Sequence, residues 1–188
     1  MDTNLFNTIH DALVFSSTMQ SASPWRLVTE TSVGGAIAAG FDRATDELLV
    51  VTSNGQGIFS TTTGHRVYRN RNESGYDHER LEAKRLDITT HRPILMAGDD
   101  GGGLRRTTSD GWTIEILQMK WPTSYSILQP PGASIYFLAS QWEHRGKDAS
   151  FQVLMKSEGL PVAFGFSWSG KSLVWLDRSD LVIWHRDL

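Results

Sequence analysis

The residues most suggestive of chemistry are Gly165-Phe166-Ser167-Trp168-Ser169-Gly170-Lys171-Ser172, which fit the phosphate-cradling pattern G-x-x-x-x-G-K-[ST]. In such a loop, glycines let backbone N–H groups converge on phosphates, and a helix starting at the Lys-Ser pair adds its N-terminal dipole. Here the next residues are Leu173-Val174-Trp175-Leu176, then a polar break, then Leu181-Val182-Ile183-Trp184. Two β-branched and aromatic runs split by a turn read as a strand hairpin. The segment is therefore expected to be the turn between strands Ala163–Ser167 and Leu173–Asp177, with Gly170 in a conformation costly for other residues.

Other chemistries find less support. The stretch GFSWS approaches the nucleophile pattern G-x-S-x-G, but Ser169 stands where glycine is required. The histidines His10, His65, His78, His91, His144 and His185 are scattered, with no pair at a metal-binding spacing. Gly98-Asp99-Asp100-Gly101 lacks the alternating oxygen ligands of a calcium loop and reads as a hairpin turn. The acid pairs Asp42 with Asp46 and Asp177 with Asp180 have glycosidase-like chemistry, yet spacing across turns is also what solvated hairpin tips show. The sequence thus predicts no catalytic residue, no metal and no cofactor.

The elements that would position any site emerge from an internal repeat. LLVVTSNGQGIFSTTTG (Leu48 to Gly64) aligns with ILMAGDDGGGLRRTTSDG (Ile94 to Gly111) at an offset of 46 residues. Each has an apolar strand, a glycine-rich turn, a second strand and a Thr-Thr pair. A looser copy spans Ser134 to Gly159, with a longer turn between its paired strands, and another Ser172 to Leu188, with steps of 46, 41 and 38 between Val51, Ala97, Leu138 and Leu176. Preceding strands are expected at Ile37–Phe41, Leu81–Ile88, Tyr125–Leu128 and Ala163–Ser167, and fourth strands at Arg66–Arg69 and Thr113–Leu117. Four strands per 40-odd residues is the blade length of a β-propeller. The last copy stops after its third strand, and Trp25–Glu30 precedes the first with no partner. The expected fold is all-β and propeller-like, with about four blades closed by pairing of the N- and C-terminal strands; the alternative is a β-sandwich of hairpins. Residues 1–22 are expected to hold an amphipathic helix, from Leu5, Phe6, Ile9 and Leu13, packed on a single domain over residues 23–188.

AFGFSWSGKSLVWLDRSDLVIWH resembles the F-S-x-x-G-K-x-L blade start of WD40 and related bacterial β-propeller repeat proteins, and AAGFDRATDELLVVTSNGQGIFSTTTGHRV resembles the same blade with its T-G-x-x-V ending. The resemblance covers residues 36–188. In its small size, net acidity and lack of cysteine the chain also resembles bacterial toxin-immunity proteins in type.

The chain has 188 residues, no cysteine, 39% hydrophobic residues and a formal net charge of −3. Disulfides and thiolate metal sites are excluded, and there is no general attraction to nucleic acid or anionic membrane. With no apolar run long enough to span a bilayer and no signal-peptide pattern, a cytoplasmic location is expected. In a propeller, the turns between second and third strands share one face with the inter-blade links. That face would gather Tyr76, Asp77, Glu79, Asp99, Asp100, Trp121, Trp142, Glu143 and Arg145. Exposed aromatics, acids and an arginine suit a protein interface. The expected function is non-enzymatic binding of another protein, of the immunity (antitoxin) type. The alternatives are a hydrolase using the propeller loops, and a structural or assembly subunit.

Overall fold

The computed structural model describes residues 13, 21–88, 92–133, 135–138, 141–144 and 151–187. Its strands are β1 (Ser21–Ala22), β2 (Trp25–Ser32), β3 (Ala36–Phe41), β4 (Leu48–Thr52), β5 (Gly55–Phe59), β6 (Arg66–Asn70), β7 (Tyr76–Asp77), β8 (Glu82–Ala83), β9 (Ile94–Leu95), β10 (Ala97–Gly98), β11 (Thr113–Lys120), β12 (Thr123–Gln129), β13 (Ile135–Leu138), β14 (Gln141–His144), β15 (Gln152–Glu158), β16 (Ala163–Phe166), β17 (Ser172–Leu176) and β18 (Asp180–His185). Among the described residues the fold is all-β: the sheets are antiparallel and none of them is closed. Apart from the helical Leu13, the expected N-terminal helix lies outside the described residues.

The strands fall into two compact units. The larger comprises residues 21–105 and 161–188. Its first sheet has the order β1-β2-β18-β17-β16. Here β2 pairs with the last strand, β18, with Val182 opposite Glu30 and His185 opposite Arg26. The pairing expected from the incomplete last repeat is therefore present. The second sheet, β10-β3-β4-β5-β6, is the first repeat copy folded as a meander. Thr52 faces Gly55 across a tight turn, and Gly55 takes φ +99°, a region that penalises a side chain.

Burial explains why β4 and β5 carry no polar alternation. One face of the second sheet, with Phe41, Leu48, Val50 and Phe59, packs against Val174, Leu176, Leu181 and Ile183 of the first. Its other face, with Ala38, Leu49, Val51 and Ile58, packs against Ala83, Ile94 and Met96. A strand covered on both sides reads as a continuous apolar run, here LLVVT. Each large side chain so buried contributes roughly 1.5–3 kcal/mol. Close approach on the second face requires Gly40, where a Cβ would stand 2.7 Å from Met96 Sδ and 2.8 Å from Ile94 Cγ2.

The second repeat copy departs from the expected four-stranded pattern. Its strands shrink to a small sheet, β7-β8-β9, of two-residue segments, while β10 joins the edge of β3. Pro93 removes a ladder donor immediately before β9. Gly101 and Gly102, at φ +119° and +80°, turn the chain away just past β10. Thr113–Leu117, expected as the fourth strand of this copy, lies instead in the smaller unit.

That smaller unit is formed by residues 1–20 and 106–160. Its three-stranded sheet has the order β11-β12-β15. Leu117, Tyr125, Ile127 and Val153 form its core with Leu13 and the half-buried Phe151. The third repeat copy is also rearranged. Ile135–Leu138, expected to pair across a long turn with the strand near Val153, pairs with Gln141–His144, and Leu138 faces Gln141. The strand near Val153 pairs with β12 instead.

Candidate functional site

The two five-stranded sheets of the larger unit present their turns at two opposite strand ends. At the end where β3 begins, Ser53 N donates to Gly35 O at 2.9 Å, Val33 N to Ser179 O at 2.7 Å and Asp99 N to Ile37 O at 3.0 Å. The turns around Asn54, Asp99 and Arg178 therefore emerge together, as the repeat pattern requires. Arg178 Nη2 lies 3.0 Å from Asp99 Oδ2. Tyr76 donates its hydroxyl to Asp100 Oδ2 at 3.2 Å, and His78 Nδ1 is 2.8 Å from the same oxygen. The Tyr76 and His78 rings lie 4.5 Å apart, centroid to centroid. Burial, reinforced by the charge of Asp100, pushes the Tyr76 hydroxyl up to about 12, so it remains a donor through the neutral range.

Three of the expected interface residues, Tyr76, Asp99 and Asp100, thus converge on one surface. Asp77 and Glu79 flank them, but Asp77 Oδ1 caps its own turn, accepting from Glu79 N and Arg80 N at 3.0 Å each. Trp121 belongs to the smaller unit, beside Pro122 between β11 and β12, and is 81% exposed. Trp142 and Glu143 lie on β14 of that unit. Arg145 lies outside the described residues.

At the opposite strand ends lies a cleft of about 870 Å³ that the sequence reading did not anticipate, lined by residues including Arg43, Asp46, Arg105, Trp168, Lys171 and His185. Three turns build it: Asp42–Glu47 after β3, Ser60–His65 after β5, and Ser167–Lys171 after β16. The last is the segment that mimics a phosphate loop. Its backbone donors are already committed, Ser167 N to Ser172 O at 2.9 Å and Gly170 N to Ser167 O at 3.1 Å. Ser169 N bonds Asp46 Oδ1 at 3.2 Å, Lys171 N bonds Ser169 Oγ at 3.1 Å and Ser172 N bonds Ser167 Oγ at 3.1 Å. Strand β17 follows instead of a helix, and Gly170 has φ +73°. The segment is a hairpin turn, as its composition predicts, and its amides do not form a phosphate nest.

Asp46 ties this turn to its neighbours. Its carboxylate accepts from Ser167 Oγ at 2.6 Å and from Ser169 Oγ, and its backbone O accepts from Thr61 Oγ1 at 3.1 Å. Trp168 donates Nε1 to Phe41 O at 3.0 Å. The Arg43 guanidinium lies 5.0 Å above the Trp168 ring, and Arg105 Nη1 donates to Trp168 O at 2.7 Å. The last two contacts each fix one cationic side chain while leaving other donors available.

One hydroxyl–imidazole pair borders the cleft: Ser172 Oγ lies 3.0 Å from His185 Nδ1. The spacing is that of a nucleophile and its base. Ser172, however, is completely buried, so its oxygen is closed to a substrate carbonyl, and the pair instead satisfies two buried polar groups. Burial first, then the charges of Arg26 and Lys171, hold the His185 imidazole below its ordinary value against the opposing pull of Asp187 and Asp46. Between that lowered value and about 6.5 the unfolded chain binds a proton that the folded chain refuses. Stability is therefore expected to fall as pH drops through this window. Replacing His185 with glutamine should flatten that part of the curve of denaturant midpoint against pH, and an unchanged slope would show that the imidazole does not set it.

Among the described residues, no group of three or more His, Asp or Glu side chains is placed to hold a metal ion. No helix among them is long and apolar enough to cross a membrane. No family model matches the chain, and no curated protein or solved structure matches it.

Proposed function

We propose that the chain is a non-enzymatic protein-binding module whose turn surface at Tyr76, Asp99 and Asp100 receives a basic partner. A cognate toxin neutralised in the manner of immunity proteins is the partner class that suits this chemistry. The observation carrying the proposal is the convergence of two adjoining rings, tilted at 56° to each other, and two carboxylates at one end of hydrogen-bonded antiparallel sheets. Aromatic anchors desolvate at little entropic cost, while acids steer a basic partner into register. A propeller-like reading of the architecture belongs with it. Its support is the face-to-face stacking, within the larger unit, of three sheets with the first repeat copy in the middle, and the pairing of β2 with β18 in the first of them.

The test is a binding comparison using the full chain as bait. A one-to-one complex is expected in native mass spectrometry, with an association rate that falls as salt rises. Asp100→Lys and Tyr76→Ala should each weaken it by about 30-fold or more, equivalent to about 2 kcal/mol, with the thermal midpoint of Asp100→Lys close to the parent. A partner retained at full affinity by both variants would overturn this surface as the docking site.

A further inference from the structure

We propose that the cleft between the Asp42–Glu47, Ser60–His65 and Ser167–Lys171 turns binds the phosphate group of a small organic phosphate monoester through Arg43, Arg105 and Lys171. The argument begins with charge. The chain is net acidic at −3, yet this cleft gathers three cations against a single carboxylate, Asp46. Among the described residues none of the three cationic heads is ion-paired with an acid. Cations left unpaired beside abundant acids mark a place where an external anion completes the set.

The donors are also arranged for capture. Arg43 is braced on the Trp168 ring, and Arg105 spends one Nη1 donor on Trp168 O, which leaves the rest of its planar fork free for oxygen atoms. Lys171 projects from a turn whose own backbone donors are committed. Asp46 is turned towards its serines, accepting from Ser167 and Ser169, so its lone pairs are engaged within the protein. With that carboxylate counted, the lining cations leave a surplus of two positive charges. A phosphate monoester carries about −1.5 to −2 at neutral pH on one group of three oxygens and matches that surplus, whereas a single carboxylate would neutralise half of it and a dicarboxylate would divide the same charge between two separated groups. A volume of about 870 Å³ exceeds what a bare ion needs and falls among small-molecule pockets. The organic part would lie against Ala44, Thr45 and Trp168. This is side-chain recognition, distinct from the backbone cradle that the turn's sequence imitates, and it occupies the strand ends opposite the proposed protein-binding surface.

The experiment titrates the full chain with AMP, glucose 6-phosphate, inorganic phosphate and succinate at fixed ionic strength, following backbone amide shifts of residues 43–46 and 168–171. Both phosphate esters should saturate below about 10 mM, with succinate at least tenfold weaker. Lys171→Gln and Arg105→Gln should each weaken ester binding by about tenfold. Arg71→Gln, an exposed cation outside the cleft, should leave it unchanged, as should Asp100→Lys, which separates this site from the protein-binding surface. Lys171 is exposed and its head is unbonded among the described residues, so its variant reads the site even where Arg105→Gln perturbs the turn. The proposal fails if neither ester saturates, if succinate binds as well as the esters, if inorganic phosphate binds as tightly as both, or if Lys171→Gln binds like the parent.

Discussion

Replacing Arg85 with methionine is expected to cost about 3 kcal/mol of stability at neutral pH, the lower end of the range for breaking a buried ion pair. The residue is 7% exposed, and its guanidinium serves three acids. Nε and Nη2 grip Asp87 in a fork at 3.0 and 2.7 Å, while Nη1 donates to Asp42 at 2.8 Å and Glu47 at 2.7 Å. Methionine restores much of the apolar stem but leaves three carboxylates gathered without a cation. Their partial contact with water is why the lower figure applies. The pH dependence separates this mechanism from simple loss of packing. Burial raises the Asp42 carboxyl, but hydrogen bonds from Arg85 and Ala44 N outweigh it and hold the group below its ordinary value. A depressed carboxylate stabilises the fold above its unfolded value, near 3.9, and that contribution disappears as pH falls through the folded value. The parent should therefore lose stability on acidification, and the gap to Arg85→Met should narrow as Asp42 protonates. Arg85→Lys should fall between the two, because one ammonium cannot reproduce the fork. Urea midpoints at pH 7 and pH 3 measure all of this. A gap that persists unchanged at pH 3 would assign the loss to packing.

The same arginine shows where sequence reasoning reaches its limit. The sequence predicts a strand over Leu81–Ile88 leading into the second repeat copy. In the structure, β8 occupies Glu82–Ala83, and Arg85 beyond it bonds back to the turn after β3. The elements legible in the sequence were those whose signal is local: the meander from Ala36 to Asn70, the hairpin at Gly170 and the closing strand Trp25–Glu30. Turn chemistry and apolar run length determine these within a few residues. What the repeat could not determine was pairing between distant segments. Copies aligned at 46 residues share a pattern of strand and turn, but Pro93 and the glycines after Gly98 weaken the second copy's ladder, and Ala97–Gly98 finds a partner in β3 instead. Likewise β15 pairs with β12, leaving Ile135–Leu138 to the hairpin.

The candidate sites divide along the same line. Tyr76, Asp99 and Asp100 were legible because a meander sends alternate turns to one end, so recognising the repeat grouped them. The cationic cleft was not legible, because Arg43, Arg105 and Lys171 come from distant parts of the chain and each alone is an ordinary surface charge. The only sequence trace of the cleft was the phosphate-loop likeness of Ser167–Ser172, whose literal reading fails on the absence of a following helix. In the fold those hydroxyls fasten Asp46, and the lysine is left facing the cleft.

Trp25→Ala should cost about 3–5 kcal/mol, the range for removing a large buried aromatic, and lower the thermal midpoint by roughly 8–15 °C for a chain of this size. The indole is 1% exposed, its ring lies 5.5 Å from that of Phe166, and the Arg186 guanidinium stands 4.7 Å above it. Trp25 opens β2, the strand that joins the N-terminal segment to β18, so its loss acts on more than a cavity. Phe166 loses its ring partner, the buried Arg186 loses the surface on which it is spread, and the ladder from Arg26–His185 to Ser32–Asp180 loses its anchor at one end. Fraying of β2 would uncover the edge of β18, whose Leu181-Val182-Ile183-Trp184 run is apolar and β-branched, and an exposed edge of that composition pairs with other copies. The variant is accordingly expected to exchange the Val182 and Ile183 amides faster than the parent and to aggregate on heating, while Trp25→Phe, which keeps a ring against Phe166, loses about 1–2 kcal/mol. Hydrogen exchange read strand by strand decides the matter. If Trp25→Ala destabilises the fold and the β18 amides nevertheless keep their parental protection, the tryptophan supports the core alone and the joining of the chain ends does not depend on it.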